Sequence, residues 1–100
     1  MDVTYRVDKD ILYIAVEGRV DASNAAETEQ KILEIKRANP DKHLVIDADC
    51  LEYISSAGLR VILFAIKAMK KQGKMVVKNV NETVMEVFEI TGFADMLTIE

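Results

Sequence analysis

Apolar side chains recur at every second position from Val3 to Val7 and again from Leu12 to Val16, and from Ile32 onward they recur mostly three and four apart, with short unbroken apolar runs in between. That change of period decides the kind of fold open to the chain. Val3, Tyr5 and Val7 alternate with Thr4 and Arg6, Asp8-Lys9-Asp10 interrupts, and Leu12, Ile14 and Val16 resume the alternation. Successive side chains of a strand point to opposite faces, so this stretch reads as an antiparallel hairpin with one apolar face. Gly18 is expected to close the second strand. The polar segment Asp21-Ala22-Ser23-Asn24 then offers helix caps, and Asn24 with Glu27 three residues later resembles a capping box. The helix that follows carries Ile32 and Ile35 and stops at Asn39-Pro40.

Leu44-Val45-Ile46 is too short for a helix and suits a strand buried on both faces. From Leu59 the positions Ile62, Leu63, Ile66 and Met69 follow helical spacing, with Arg60, Lys67, Lys70 and Lys71 largely on the other side and Gly73 as the stop. Met75-Val76-Val77 gives another strand. Asn81 can cap a helix bearing Val84, Val87 and Phe88, Gly92 ends it, and Met96 to Ile99 reads as a last short strand. Two opening strands followed by alternating helices and strands imply one α/β domain over residues 1–100, with a mixed, mostly parallel sheet and right-handed helical crossovers.

The net charge of -4 argues against broad attraction to nucleic acid phosphates or anionic lipid, so neither a nucleic acid nor a membrane is expected as partner. Cys50 is the single cysteine, which rules out an intrachain disulfide and suits the cytoplasm. Met1 to Asp10 mixes charged and apolar residues, unlike a secretion signal, and no stretch approaches membrane-spanning length.

The informative segment is Leu51-Glu52-Tyr53-Ile54-Ser55-Ser56-Ala57-Gly58-Leu59, which leads from the buried strand into the most amphipathic helix. Two hydroxyls stand at a helix entrance, where unpaired N–H groups and the positive end of the dipole favour an anion. A phosphate there adds roughly 1.5 to 2 negative charges, enough to reject a partner selected for the neutral hydroxyl. Equally, one serine can simply cap the helix while the other fills the turn. Local chemistry leaves both readings open.

Tyr53-Ile54-Ser55-Ser56-Ala57-Gly58-Leu59 resembles the phosphorylation loop of anti-sigma factor antagonists in the STAS domain family. Gly18-Arg19-Val20-Asp21 looks like the family's element before its first helix, and Val45-Ile46-Asp47 with Leu51 like its central strand. Gly73 to Val77 and Thr91-Gly92-Phe93 follow the family's order, so the likeness spans nearly the whole chain. Matching Gly58 and Leu59 to the motif places the phosphoacceptor at Ser56. Ser55 stands where many members have aspartate, and is the second candidate acceptor. The resemblance implies a partner-binding face of Asp21, Ser55, Ser56, Ala57 and Gly58, and an unphosphorylated form that binds an anti-sigma factor with the ATPase fold of histidine kinases, freeing the sigma factor. That kinase phosphorylates Ser56 from ATP and lets go, and a metal-dependent serine phosphatase resets the switch. ATP and metal belong to those partners, so no cofactor is expected here. A STAS module that binds protein or a small ligand without being phosphorylated is the alternative.

Four rival readings attach to these and other residues. Ser56 at a strand-to-helix turn superficially resembles a hydrolase nucleophile, but Ile54 occupies the first glycine position of that motif and His43 is the one imidazole available. His43, Asp47, Asp49 and Cys50 carry ligand-type atoms without a recognised metal spacing, and Cys50 reads as a small buried hydrophobe. The basic run Lys67, Lys70, Lys71 and Lys74 reads as a solvated helix end, with an acidic partner patch as its functional alternative. Met69, Met75, Met85 and Met96 read as core filling rather than as an adaptable groove.

Overall fold

The alternating segments at the start of the chain pair antiparallel, in a computed structural model that describes residues 2–69 and 74–100. Strand β1 (Asp2–Asp8) and strand β2 (Ile11–Val20) set Val3, Tyr5 and Val7 opposite Val16, Ile14 and Leu12. Lys9, between them, takes a positive φ of 54°. Helix α1 (Ala25–Ala38) leads to β3 (His43–Asp47), which runs parallel to β2. Next come β4 (Leu51–Ile54), α2 (Ser56–Met69), β5 (Met75–Lys78), α3 (Glu82–Thr91), a 3-10 turn at Phe93–Asp95 and β6 (Thr98–Ile99). The main sheet runs β1-β2-β3-β5-β6, antiparallel only at its first pair, as the order of periods in the sequence required.

One core forms on the helical side. Leu12, Ile14 and Val16 of β2, Leu44 and Ile46 of β3 and Val77 of β5 meet Ile32 of α1, Leu59, Ile62, Ala65 and Met69 of α2, and Val84 and Phe88 of α3. The β3 run is buried throughout, with Val45 only 7% exposed although it faces away from this core. Ile11, Tyr13 and Val76 line the same groove as Val45, so neighbouring strands cover it laterally. Tyr5 and Val7 have the parity of the core face and are nevertheless exposed, because β1 is the sheet edge.

Several expectations need correction. Gly18 does not end β2: pairing with β3 stops at Ala15, and from Gly18, at φ 86°, the strand pairs parallel with β4 through Gly18–Leu51, Arg19–Tyr53 and Val20–Ile54, the register shifting between Gly18 and Arg19. Only a residue without Cβ takes that backbone at low cost, so Gly18 lets one strand serve two partners. The stretch Leu51–Ile54, read as part of a connection, is that second partner. Asn24 sits at the N-cap of α1 but forms no capping box: its Oδ1 accepts from the Asp21 N–H at 3.0 Å and its amide donates to the Arg19 carbonyl at 2.8 Å. Glu27 instead pairs with Lys31. Cys50 is exposed in the turn between β3 and β4. Of the methionines, Met69 is in the core and Met75 packs against it, whereas Met96 lies 54% exposed. Lys67 and Lys74 are exposed; Lys70, Lys71 and the expected stop at Gly73 lie outside the described residues. The caps of α3 are as expected: Asn81 Oδ1 accepts from the Val84 N–H at 2.8 Å, and Gly92 takes φ 82°.

Candidate functional site

Strand β4 delivers the two serines to the carboxyl end of the sheet. The Gly18 N–H donates to the Cys50 carbonyl at 2.8 Å, and the Ser55 N–H donates to the Val20 carbonyl at 2.9 Å, so the β2–β4 ladder continues to the first residue before α2. Ser55 is half-buried and caps the helix: its Oγ accepts a long 3.4 Å bond from the Gly58 N–H, and its carbonyl accepts from Leu59 at 2.9 Å. Ser56, the first residue of the helix, is exposed, and its hydroxyl bonds to no described residue. The two hydroxyls, equivalent in the sequence, are therefore distinct: one closes the helix, the other faces solvent.

Gly58 is buried and contributes by what it lacks. A Cβ there would stand 2.6 Å from Ile54 Cγ1, 3.0 Å from Val20 Cγ1 and 3.1 Å from the Val20 carbonyl oxygen. The first turn of α2 thus rests directly on the ends of β2 and β4. Expected among the partner-contacting residues, Gly58 faces the core instead and acts by seating the turn that presents Ser56. Ala57 is half-buried beside it.

Asp21 follows Val20, and the Val20–Ser55 bond brings the β2–α1 turn next to the helix entrance. One Asp21 carboxylate oxygen accepts from both the N–H and the hydroxyl of Ser23, and the Asp21 carbonyl accepts from Ala25 at 2.9 Å. The hydroxyl of Ser23, then its N–H, hold the Asp21 carboxyl below its ordinary pKa of 3.8. Arg19 lies over the Tyr53 ring at 4.5 Å, which stiffens the β2–β4 pair beneath the turn. The Asn81 amide donates to the Leu51 carbonyl at 2.8 Å and fastens α3 to the other end of β4. Tyr53 and Arg19 entered the sequence reading only as letters of the two motifs, and Asn24 and Asn81 only as helix caps; their contacts at the site depend on the β2–β4 pairing, which no local pattern announces.

His43 is at the wrong end of the sheet for a Ser–His pair. It faces Ile11 across the β2–β3 ladder, while Ser55 adjoins Val20. The nine residue steps from Ile11 to Val20 span roughly 30 Å at about 3.3 Å each. The His43 ring accepts from the Lys74 N–H through Nδ1 at 3.0 Å, a structural role at the strand start. Asp47 binds locally too, accepting from the Asp49 N–H and the Asn79 amide, each at 3.0 Å. Among the described residues no three His, Cys, Asp or Glu side chains gather as a metal site, and no helix is long and apolar enough to cross a membrane. Cys50 has its thiol pKa raised, by desolvation first and then by the charges of Asp49, Glu17 and Asp47.

Fold and site together define a small α/β domain that presents the exposed Ser56 hydroxyl at the entrance to α2. The chain belongs to the STAS domain family, whose model matches residues 2–100. It is 36% identical over 90 residues to a candidate anti-sigma factor antagonist, BtrV, of Bordetella bronchiseptica, covering 89% of this chain and 77% of the relative. It is 31% identical over 94 residues to the anti-sigma-B factor antagonist of Listeria monocytogenes, covering 93% of this chain and 82% of that one. Among solved structures, the fold superimposes on the Bacillus protein SpoIIAA in two states. The unphosphorylated form matches with a TM-score of 0.80 at 17% identity, covering 99% of this chain and 88% of the other. The phosphorylated form matches with a TM-score of 0.71 at 17% identity, covering 99% and 91%.

Proposed function

We propose that this protein is an anti-sigma factor antagonist, a cytoplasmic binding protein and not an enzyme, switched by phosphorylation of Ser56. The observation that carries the reading is the division of labour between the adjacent serines. Ser55 Oγ is engaged by the Gly58 N–H, while the Ser56 hydroxyl is exposed and unbonded, where a kinase can reach it. The names of the BtrV and Listeria relatives favour an anti-sigma factor as partner.

The unphosphorylated protein offers Ser56, with Ala57, Ser55 and Asp21 around it, to an anti-sigma factor that has the ATPase fold of histidine kinases. In the kinase step Ser56 Oγ attacks the γ-phosphorus of ATP, its proton passes to a base of the kinase, and ADP leaves. The product carries roughly 1.5 to 2 added negative charges on the contact surface, and the partner dissociates. A metal-dependent serine phosphatase returns the hydroxyl. Because α2 rests on β2 and β4 through Gly58, the turn has little room to move, so the switch acts through charge and bulk at a fixed place. Ser55, which stands where many members of the family have aspartate, here serves as a cap of α2 through the bond that its Oγ accepts from the Gly58 N–H.

The test is phosphate incorporation from ATP in a lysate of the source bacterium, mapped by fragmentation mass spectrometry in wild type, Ser56→Ala and Ser55→Ala. Phosphate lost in Ser56→Ala and retained in Ser55→Ala is expected. No phosphate on any form, with a known antagonist labelled in parallel, would overturn the switch in favour of an unmodified STAS binding module.

A further inference from the structure

We propose that Arg60 is an intramolecular clamp for a phosphate on Ser56, one helical turn away. The inference rests on Ser56 being the acceptor and adds what the phosphate does once attached. Residues four apart on a helix have Cβ atoms about 5–6 Å from each other, and helical side chains lean toward the N-terminus. That spacing puts Arg60 on the same face of α2 as Ser56, one turn further on and within reach of a phosphate there. It is exposed, and it takes part in neither of the ion pairs found among the described residues, Lys31–Glu27 and Lys78–Glu100. The first turn of α2 contains no acid to compete for it.

The other charges brought to this end of the sheet do not substitute for Arg60. Arg19 is stacked on Tyr53, and Asp21 is anionic with one oxygen bound by Ser23. That acid opposes a phosphate dianion. Arg60 favours it, and its fork of N–H donors fits the phosphate oxygens. The phosphate then lies along the first turn of α2, and the guanidinium is occupied. Modification thus withdraws a cation from the partner face as well as adding an anion.

The experiment places phosphoserine at position 56 of the full chain during synthesis, which bypasses any kinase, and follows the phosphorus resonance through its second ionisation near pH 6. Wild type, Arg60→Gln and Arg60→Lys are compared at low salt, with thermal melts of the unmodified chains confirming that each folds. The second pKa is expected to rise by about 0.3 of a pH unit in Arg60→Gln, to stay close to wild type in Arg60→Lys, and the difference to collapse at about 1 M salt. Equal pKa values in wild type and Arg60→Gln would overturn the clamp while leaving phosphorylation of Ser56, tested separately in lysate, untouched.

Discussion

Replacing Gly58 with alanine tests the packing that holds the switch loop in place. The added methyl would lie 2.6 Å from Ile54 Cγ1, nearly an ångström inside ordinary contact, and 3.0 and 3.1 Å from Val20 Cγ1 and its carbonyl oxygen. None of these atoms gives way easily. Ile54 and Val20 are both buried core residues, and the Val20 carbonyl holds the Ser55 N–H at 2.9 Å. Overpacking of this kind costs about 1–3 kcal/mol, and alanine regains at most about 1 kcal/mol of helix propensity over glycine. A 2.6 Å contact with a buried side chain falls in the upper part of that range, about 2–3 kcal/mol, so the net is a loss of about 1–2 kcal/mol. In a chain of 100 residues that corresponds to a fall in Tm of about 5–10 °C, and to a lower urea midpoint with an unchanged slope. Thermal and urea unfolding followed by circular dichroism measure both. An unchanged or higher Tm in Gly58→Ala would refute the reasoning, since it would mean that α2 does not rest on Val20 and Ile54 as closely as described.

Two further perturbations probe single residues. Ser55→Ala removes the cap of α2 and is expected to cost about 1 kcal/mol, whereas Ser55→Asp keeps an acceptor and adds a charge that suits the helix dipole, so its urea midpoint should match or exceed wild type; equal midpoints for all three would show that the cap contributes nothing. Lys36 is buried on α1 with an ammonium that has no hydrogen-bond partner among the described residues, so Lys36→Met should stabilise the fold by about 1 kcal/mol at neutral pH. Burial lowers the Lys36 pKa in the folded state from 10.5, with Asp41 partly opposing the shift. The unfolded chain therefore holds more protons between the depressed value and 10.5, and wild-type stability should rise with pH through that window. Unfolding of Lys36→Met against wild type at stepped alkaline pH checks the sign: a rise of the same size in both would assign it to another group.

Much of this molecule follows from residues taken a few at a time. Period two in Val3 to Val16 requires strands, helical spacing from Leu59 to Met69 requires an amphipathic helix, and Asn81 and Gly92 bound α3 through bonds made within a turn of chain. The run Tyr53 to Leu59 likewise carries the resemblance to the family's loop in its own letters. These features are local, and local geometry is what sequence spacing encodes. What the tertiary structure alone decided involves contacts between distant segments. Gly18 reads as a strand end until β4 is seen to continue the ladder past it. Asn24 and Glu27 have capping-box spacing, yet the Asn24 side chain serves Arg19 and Asp21 because β2 runs on to Val20. Cys50 looks like core material and is exposed in a turn, while Tyr5 and Val7 match the core parity and lie exposed on the edge strand. The same holds at the site: Ser55 and Ser56 are equal as letters, and only the approach of Val20 to the helix entrance turns one inward as a cap and leaves the other as a free hydroxyl.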